Sequence, residues 1–216
     1  MDRSNIQNLA AYSTEMWGNF KTMHMEKTYN DDYVFEKINF QEKNLPKGEY
    51  DNCIFKHCDF SNTNLSEFIF TECEFQYCNL SLVKLNATVF SNIKFKDCKM
   101  LGMHFDDCSE FGLSFSFENC QLNHSSFYKN KIKMTTFVNS QLQEVDFTEC
   151  DLTSSILKNC DLMYATFDKT NIEKADLRFS YNYNINPENN RIKKAKFSLQ
   201  GVIGLLGKYD IIIDEN

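Results

Sequence analysis

The chain is short of the residues that usually turn a polypeptide, with 7 glycines and 2 prolines in 216 residues. A fold with many tight turns must make most of them without glycine's freedom or proline's fixed φ. No apolar run approaches the ~20 residues needed to span a bilayer. No basic start, apolar stretch and small-residue cleavage site mark a secretory signal. Basic residues are outnumbered, and the net charge of -7 argues against a general nucleic-acid binder, which needs a cationic face for phosphate. An acidic surface more commonly serves solubility. With 42% hydrophobic residues the chain can bury a core. The expectation is a soluble cytoplasmic protein with reduced thiols.

Aromatic residues are abundant, with 20 Phe and 10 Tyr. Their spacing is unusual. In "CDLTSSILKNCDLMYATF" the large apolar residues Leu152, Leu157, Leu162 and Phe167 recur every five positions. A helix would give a period of 3.6 and a strand a period of two. Steps of five from Phe35 land on apolar or aromatic residues as far as Phe105. The frame then slips by two and resumes from Phe117 to Leu177. Two residues before each of these centres sits a second, mostly small site: Cys53, Cys58, Thr63, Cys73, Ala165 and their equivalents. The residue between the two is often Asp or Asn. Each unit therefore reads small, polar, large, polar, polar. Two inward side chains flank one outward side chain, which describes a short extended piece followed by a turn. Stacked, such pieces make a solenoid whose coils bury one another.

Units such as "CDFSN", "TNLSE", "CNLSL", "VDFTE" and "CDLTS" resemble the pentapeptide-repeat family, whose consensus is A(D/N)LXX. The resemblance spans roughly residues 33–197. It implies an all-β solenoid, a right-handed quadrilateral β-helix with four units per coil. Residues 20 apart should then stack, placing Cys58, Cys78 and Cys98 in one inner column and Cys53 and Cys73 in another. About eight coils at roughly 4.8 Å each give a rod of about 40 Å. Residues 1–28 read as an N-terminal extension, with a weakly helical "IQNLAAYSTEMW". Residues 29–197 form the β-helix, and residues 198–216 a C-terminal helix-strand cap.

All nine cysteines fall on the small inward site. No pair has CxxC spacing, and His57, His104 and His124 fall on outward positions, so no metal centre is expected. Thiols suit a narrow core as small hydrophobes. No nucleophile–base pair and no Gly-rich phosphate cradle is present, so neither enzyme nor cofactor is implied.

The pattern breaks in three places. In "EKNLPKGEY" (42–50) Lys43 falls on an inward site, where a charge is costly. Pro46 and Gly48 mark a turn, so a small projecting loop is expected. In "DDCSEFGLSF" (106–115) Glu110 falls on a centre and two residues are inserted. Phe111 and Leu113 are candidates for packing beneath the bulge, which is either a kink between offset stacks or a functional protrusion. In "SYNYNINPENNRI" (180–192) Asn182 and Pro187 replace apolar centres, and a loop in the last coil is expected. The "RIKKAK" run that follows reads as phosphate-contacting or as a solvated basic edge. Phe68, Phe115 and Asn130 occupy small sites without a local reason.

At the C-terminus Leu199, Val202, Ile203, Leu205 and Leu206 recur at helical spacing. Ser198 can cap and Gly207 can terminate. "DIII" reads as a strand. The loops and this module resemble the Qnr and MfpA branch of the family. That resemblance implies a homodimer through Leu199, Val202, Ile203, Leu205, Leu206, Tyr209 and Ile211. It also implies a partner, DNA gyrase or topoisomerase IV, bound by DNA mimicry and protected from fluoroquinolones. By the same resemblance, Lys43, Asn44, Leu45, Pro46, Lys47 and Gly48 form the first partner-binding loop. Asp106, Asp107, Glu110 and Phe111 form the second. No direct nucleic-acid or membrane binding is implied. The predicted columns mix signs, as in Asp59, Asn79 and Lys99, or Lys129, Glu149 and Lys169, which favours stacking over an acidic stripe. A protein-binding scaffold with another partner is the second reading.

Overall fold

A computed structural model describes residues 28–214. The helical reading of "IQNLAAYSTEMW", all of the 1–28 extension but its last residue, and the final two residues lie outside the described residues. The first strand begins at Thr28.

The described residues wind as a right-handed square coil with four walls, almost without helix. The first wall is centred on Phe35, Phe55 and Phe75, the second on Phe40, Phe60 and Leu80. The third is centred on Leu45 and Leu65, the fourth on Tyr50 and Phe70. Coils pair in parallel at a register of 20, with Phe35 opposite Phe55, Phe55 opposite Phe75 and Phe75 opposite Phe95. The first wall forms a seven-stranded sheet from Val34–Glu36 to Ile156–Lys158, and the lower fourth wall a four-stranded sheet from Thr28–Asp31 to Val89–Ser91. Elsewhere the walls meet through single bridges such as Asp59–Asn79 and Gln121–Gln141.

The corners explain how the chain turns with so little glycine. The residue two after most centres adopts positive φ, from 47° at Asn52 to 64° at Glu67, with Asn62, His124, Met134 and Lys174 between 58° and 61°. This left-handed conformation strains a side chain with a Cβ. Part of the compensation is local. The Asp or Asn before each centre accepts a hydrogen bond from the backbone N–H two residues on. Asp59 Oδ1 receives the Ser61 amide at 2.8 Å, Asp146 Oδ1 that of Thr148 at 2.8 Å and Asp151 Oδ1 that of Thr153 at 3.0 Å. This side-chain turn is the physical content of the D/N position in the repeat. The rest comes from coil-to-coil backbone bonds, such as Asn62 N to Ser81 O at 3.0 Å and His124 N to Gln143 O at 3.0 Å.

The centres tile the bore. Phe35, Phe55, Phe75, Phe95, Phe117 and Phe137 stack ring on ring at 4.7, 4.8, 5.2, 5.3 and 4.9 Å. Phe55, Leu80 and Leu162 are fully buried, as the five-residue frame requires. Burying each large side chain contributes about 1.5–3 kcal/mol.

The small site carries a second device. A thiol, hydroxyl or amide there donates to the carbonyl of the centre 23 residues earlier. Cys73 Sγ reaches Tyr50 O at 3.3 Å, Thr88 Oγ1 reaches Leu65 O at 2.7 Å, Ser180 Oγ reaches Leu157 O at 2.8 Å and Asn190 Nδ2 reaches Phe167 O at 3.0 Å. Cys, Ser, Thr and Asn are interchangeable there because each is small and each can donate. All nine cysteines are buried and free. Cys58 and Cys78 share a column, the Cys58 amide pointing at Cys78 Sγ at 3.4 Å. Burial pushes the Cys73 thiol up to about 12 and that of Cys160 to about 11.

Each break resolves differently. Lys43, expected at an inward site, is exposed, because its amide bonds Asn39 O at 3.0 Å and turns the side chain out. The expected projecting loop at 42–50 stays on the wall. Leu45 is buried, Tyr50 Oη donates to Pro46 O at 2.5 Å, and Lys47 pairs with Glu67 one coil on. Gly48 is required there, since a Cβ would meet Thr28 O at 2.0 Å.

At the second break the register lengthens to 22, with Phe95 opposite Phe117. A 3-10 turn, Phe105–Asp107, precedes a bulge in the fourth wall. Leu113 packs inward as expected, but Phe111 does not: it is 87% exposed. Gly112 at φ +72° turns the chain there. The buried Asn130 Oδ1 has no hydrogen-bond donor, and nothing in the structure explains an amide at this small site. Phe68 and Phe115 bury their rings inward, against Tyr50 and Phe70 and against Phe105 and Phe117 respectively.

In the third break the frame shifts, and Tyr183 and Ile185 fill the bore in place of Asn182 and Pro187. The cap then crosses the open end as two 3-10 turns, Gly201–Leu205 and Gly207–Tyr209. Ser198 Oγ accepts the Gly201 amide at 3.0 Å, but the N-cap position of the first turn is held by Gln200, whose side chain makes no cap bond. Gly201 and Gly204 admit the turn onto Tyr183, whose ring and backbone leave no room for a Cβ. Residues 211–213, expected as a strand, have no strand partner among the described residues.

Candidate interaction surface

Among the described residues no group of three or more His, Cys, Asp or Glu side chains is placed to hold a metal ion, and no helix is long and apolar enough to cross a membrane. The three histidines on outward positions make surface contacts. His57 stacks on Tyr77 at 4.9 Å, His104 lies 3.4 Å from Asp106 and His124 lies 3.2 Å from Glu144.

Three surface regions stand out. The first is a groove of about 760 Å³ on the corner between the second and third walls. Gln41, Asn44, Asn62, Asn64 and Ser66 line it, with the Lys47–Glu67 pair at its rim. Of the first-loop residues, Asn44, Leu45 and Lys47 contribute to this groove, while Lys43, Pro46 and Gly48 do not.

The second is the bulge. Glu110 and Phe111 face solvent, Glu110 lying 3.8 Å from Lys131 on the coil above. Asp106 is only partly exposed and Asp107 is exposed, both on the third wall beside the bulge. Asp106 and Asp107 therefore flank the protrusion and do not belong to its tip.

The third is the C-terminal end. Leu199 is 84% exposed, and Val202, Ile203, Tyr209 and Ile211 are also exposed. Leu205 packs against the core and Leu206 is half-buried. The dimerisation set therefore divides into residues that hold the cap down and residues that face outward. The sequence reading missed Tyr164, Phe179 and Tyr181, exposed aromatics on the last coils beside this cap. They occupy outward positions of the repeat, where most units carry polar residues, and that mismatch was visible in the sequence.

Several wall columns mix signs, as the sequence predicted. Asn79 faces Lys99, Glu74 faces Lys94, and Lys129 lies 3.8 Å from Glu149. A side-chain ladder runs up one corner. Asn119 Nδ2 donates to Asp97 at 2.9 Å, Asn139 to Asn119 at 3.1 Å and Asn159 to Asn139 at 3.0 Å. Burial raises Asp151's pKa, but the Thr153 hydroxyl and amide and Lys133 outweigh it and hold the carboxyl below its usual value.

A square solenoid with its C-terminal end capped by 3-10 turns and, among the described residues, one mid-length bulge defines a class of right-handed β-helix proteins. The chain matches the pentapeptide repeat region family over residues 48–115 and 113–197, and it belongs to that family. Its backbone is similar to a trypsin-treated variant of QnrB1, a plasmid-mediated fluoroquinolone resistance protein. The TM-score is 0.58 at 16% identity, over 85% of this chain and 99% of the other. A second trypsin-treated QnrB1 variant gives a TM-score of 0.56 at 17% identity, over 87% of this chain and 100% of the other. None of the curated proteins matches the chain.

Proposed function

We propose that this protein is a non-enzymatic topoisomerase-binding rod that engages bacterial DNA gyrase or topoisomerase IV and protects it from fluoroquinolones. The observation that carries the reading is the exposed bulge around Phe111 on a rod whose backbone resembles QnrB1 over most of its length. An exposed aromatic on a rigid wall is the kind of anchor that dominates protein–protein binding energy. The acidic part of the DNA-like surface is the lower fourth wall, which carries Asp31, Asp51 and Glu72, with Asp31 directly opposite Asp51.

In this reading two copies join through the C-terminal end, with Leu199, Val202, Ile203, Tyr209 and Ile211 covering one another. Their outward exposure on a 3-10 cap supports it, because isolated apolar clusters of this kind favour an interface. The test is supercoiling by purified gyrase and topoisomerase IV with ciprofloxacin present. Rescue of supercoiling by a molar excess of this protein is expected. No effect on either enzyme would remove the reading.

The mixed-sign columns favour a second reading, a family scaffold that binds another protein through the same bulge. Retention of binding to a non-topoisomerase partner, lost with Phe111→Ala, would distinguish it.

A further inference from the structure

The last coil leaves an open strand edge on the fourth wall. Lower in the rod, each coil bonds the one above it through a fixed set of backbone groups. Ile172 N donates to Arg191 O at 2.9 Å, Lys174 N to Lys193 O at 3.0 Å, and Arg191 N to Thr170 O at 3.0 Å. One coil on, the equivalent groups are Ile192 N, Lys194 N and Asn190 O. None of them has a backbone partner among the described residues. Ile192 is only half-buried. Lys193 and Lys194 beside it are exposed and have no ion pair among the described residues. Unpaired N–H and C=O groups in a row are a template for another strand.

The cap brings the chain's own tail to this edge. It follows the coil beneath it: Gly204 O accepts the Ile185 amide at 2.8 Å, Lys208 pairs with Glu188, and Tyr209 Oη donates to Glu188 at 3.2 Å. Asp210 then takes φ 50° and ψ 40°, the left-handed conformation of the corners below. After the corner at Lys169, side chains alternate inward and outward, with Thr170 and Ile172 fully buried and Asn171 and Glu173 not. After Asp210 the exposures run 55% at Ile211, 98% at Ile212 and 44% at Ile213, the same alternation in a segment that nothing yet covers. Counted from the corner, Ile213 belongs over Ile192 and Asp214 over Lys193.

We infer that the fourth-wall edge is a strand-addition site, and that residues 211–214 of the same copy occupy it as a strap that closes the rod. Ile192 N then donates to Ile212 O, Lys194 N to Asp214 O, and Ile212 N to Asn190 O. These repeat the bonds of the coil below. Consecutive isoleucines suit a pleated edge, and a carboxylate stacked over an ammonium attracts it. The edge therefore selects an extended, β-branched segment that carries an acid, with backbone bonds supplying affinity and side chains the choice of partner. Once closed, it no longer offers a template to strands of other chains.

This strap needs neither a topoisomerase nor a second copy, so it fails separately from the proposed function. The experiment is amide hydrogen exchange of the full chain by NMR, read at Ile192 and Lys194. Ile172 and Lys174, whose bonds lie within the rod, stay protected in every variant and report that the fold is intact. In the unmodified chain the Ile192 and Lys194 amides are expected to exchange about tenfold or more slowly than in a variant carrying Ile213→Asp and Asp214→Lys. Asp214→Lys alone sets a lysine over Lys193 and speeds exchange at both amides. Adding Lys193→Asp reverses the pair and restores protection. Exchange of Ile192 and Lys194 at the rate of an unstructured chain in the unmodified protein overturns the inference. So does protection that survives Ile213→Asp with Asp214→Lys, which assigns the edge to another segment. Protection that rises with protein concentration assigns the strap to a second copy and overturns it too, as does failure of Lys193→Asp to restore protection.

Discussion

Replacing Phe75 by alanine tests the five-residue frame where it is most constrained. Phe75 is fully buried and stacks on Phe55 at 4.8 Å and on Phe95 at 5.2 Å. It also meets Phe60 and Phe70 edge-on at 5.7 and 5.6 Å. Truncating a buried Phe costs about 3–5 kcal/mol through lost transfer energy and the cavity left behind. Coils above and below are hydrogen-bonded to this one, so the bore cannot collapse to fill the gap, and the upper half of that range applies. Against a total stability of about 5–15 kcal/mol this is a large share. At a urea dependence of about 2 kcal/mol per molar, the midpoint falls by about 2 M. Far-UV circular dichroism during urea titration measures it. Phe75→Leu, which restores the residue type found at Leu80 and Leu85, costs less than about 1.5 kcal/mol. Phe179→Ala, on an exposed ring, stays within about 0.5 kcal/mol. A loss below 1 kcal/mol at Phe75, or equal losses at Phe75 and Phe179, would refute the assignment of inward and outward positions.

Further outcomes follow from other parts of the rod. Met134 sits exposed at φ 58°, and Met134→Asn places there a residue that tolerates the left-handed region, raising stability by about 0.5–1 kcal/mol in the same titration. The nine thiols are buried, so a colourless thiol reagent that releases dye on reaction titrates none in the native protein and all nine after unfolding; rapid native reaction of even one contradicts the core placement. Asp176 is held below its usual value by its hydrogen bonds with Arg178, together with Lys196. A depressed carboxyl stabilises above the unfolded value near pH 4 and loses that contribution as pH falls through the folded value. Melting temperature should therefore fall on acidification below about pH 4, and less steeply in Asp176→Asn. Leu199→Asp with Ile203→Asp abolishes the C-terminal dimer in light scattering and leaves the circular dichroism spectrum unchanged; a dimer that persists moves the interface elsewhere.

Sequence alone determined the period, the inward and outward assignment of nearly every side chain, and the stacking of residues 20 apart. It could do so because each unit uses the same backbone turn and each side chain's direction follows from its place in five. The cysteine columns and the mixed-sign ladders were legible for the same reason. Where the repeat lapses, local pattern no longer fixes direction, and tertiary contacts decide. Lys43 turns out because its amide finds Asn39, and Tyr183 and Ile185 replace the missing centres because the cap needs a floor. Phe111 faces solvent because two extra residues cannot fit a bore whose register is set by the coils on either side.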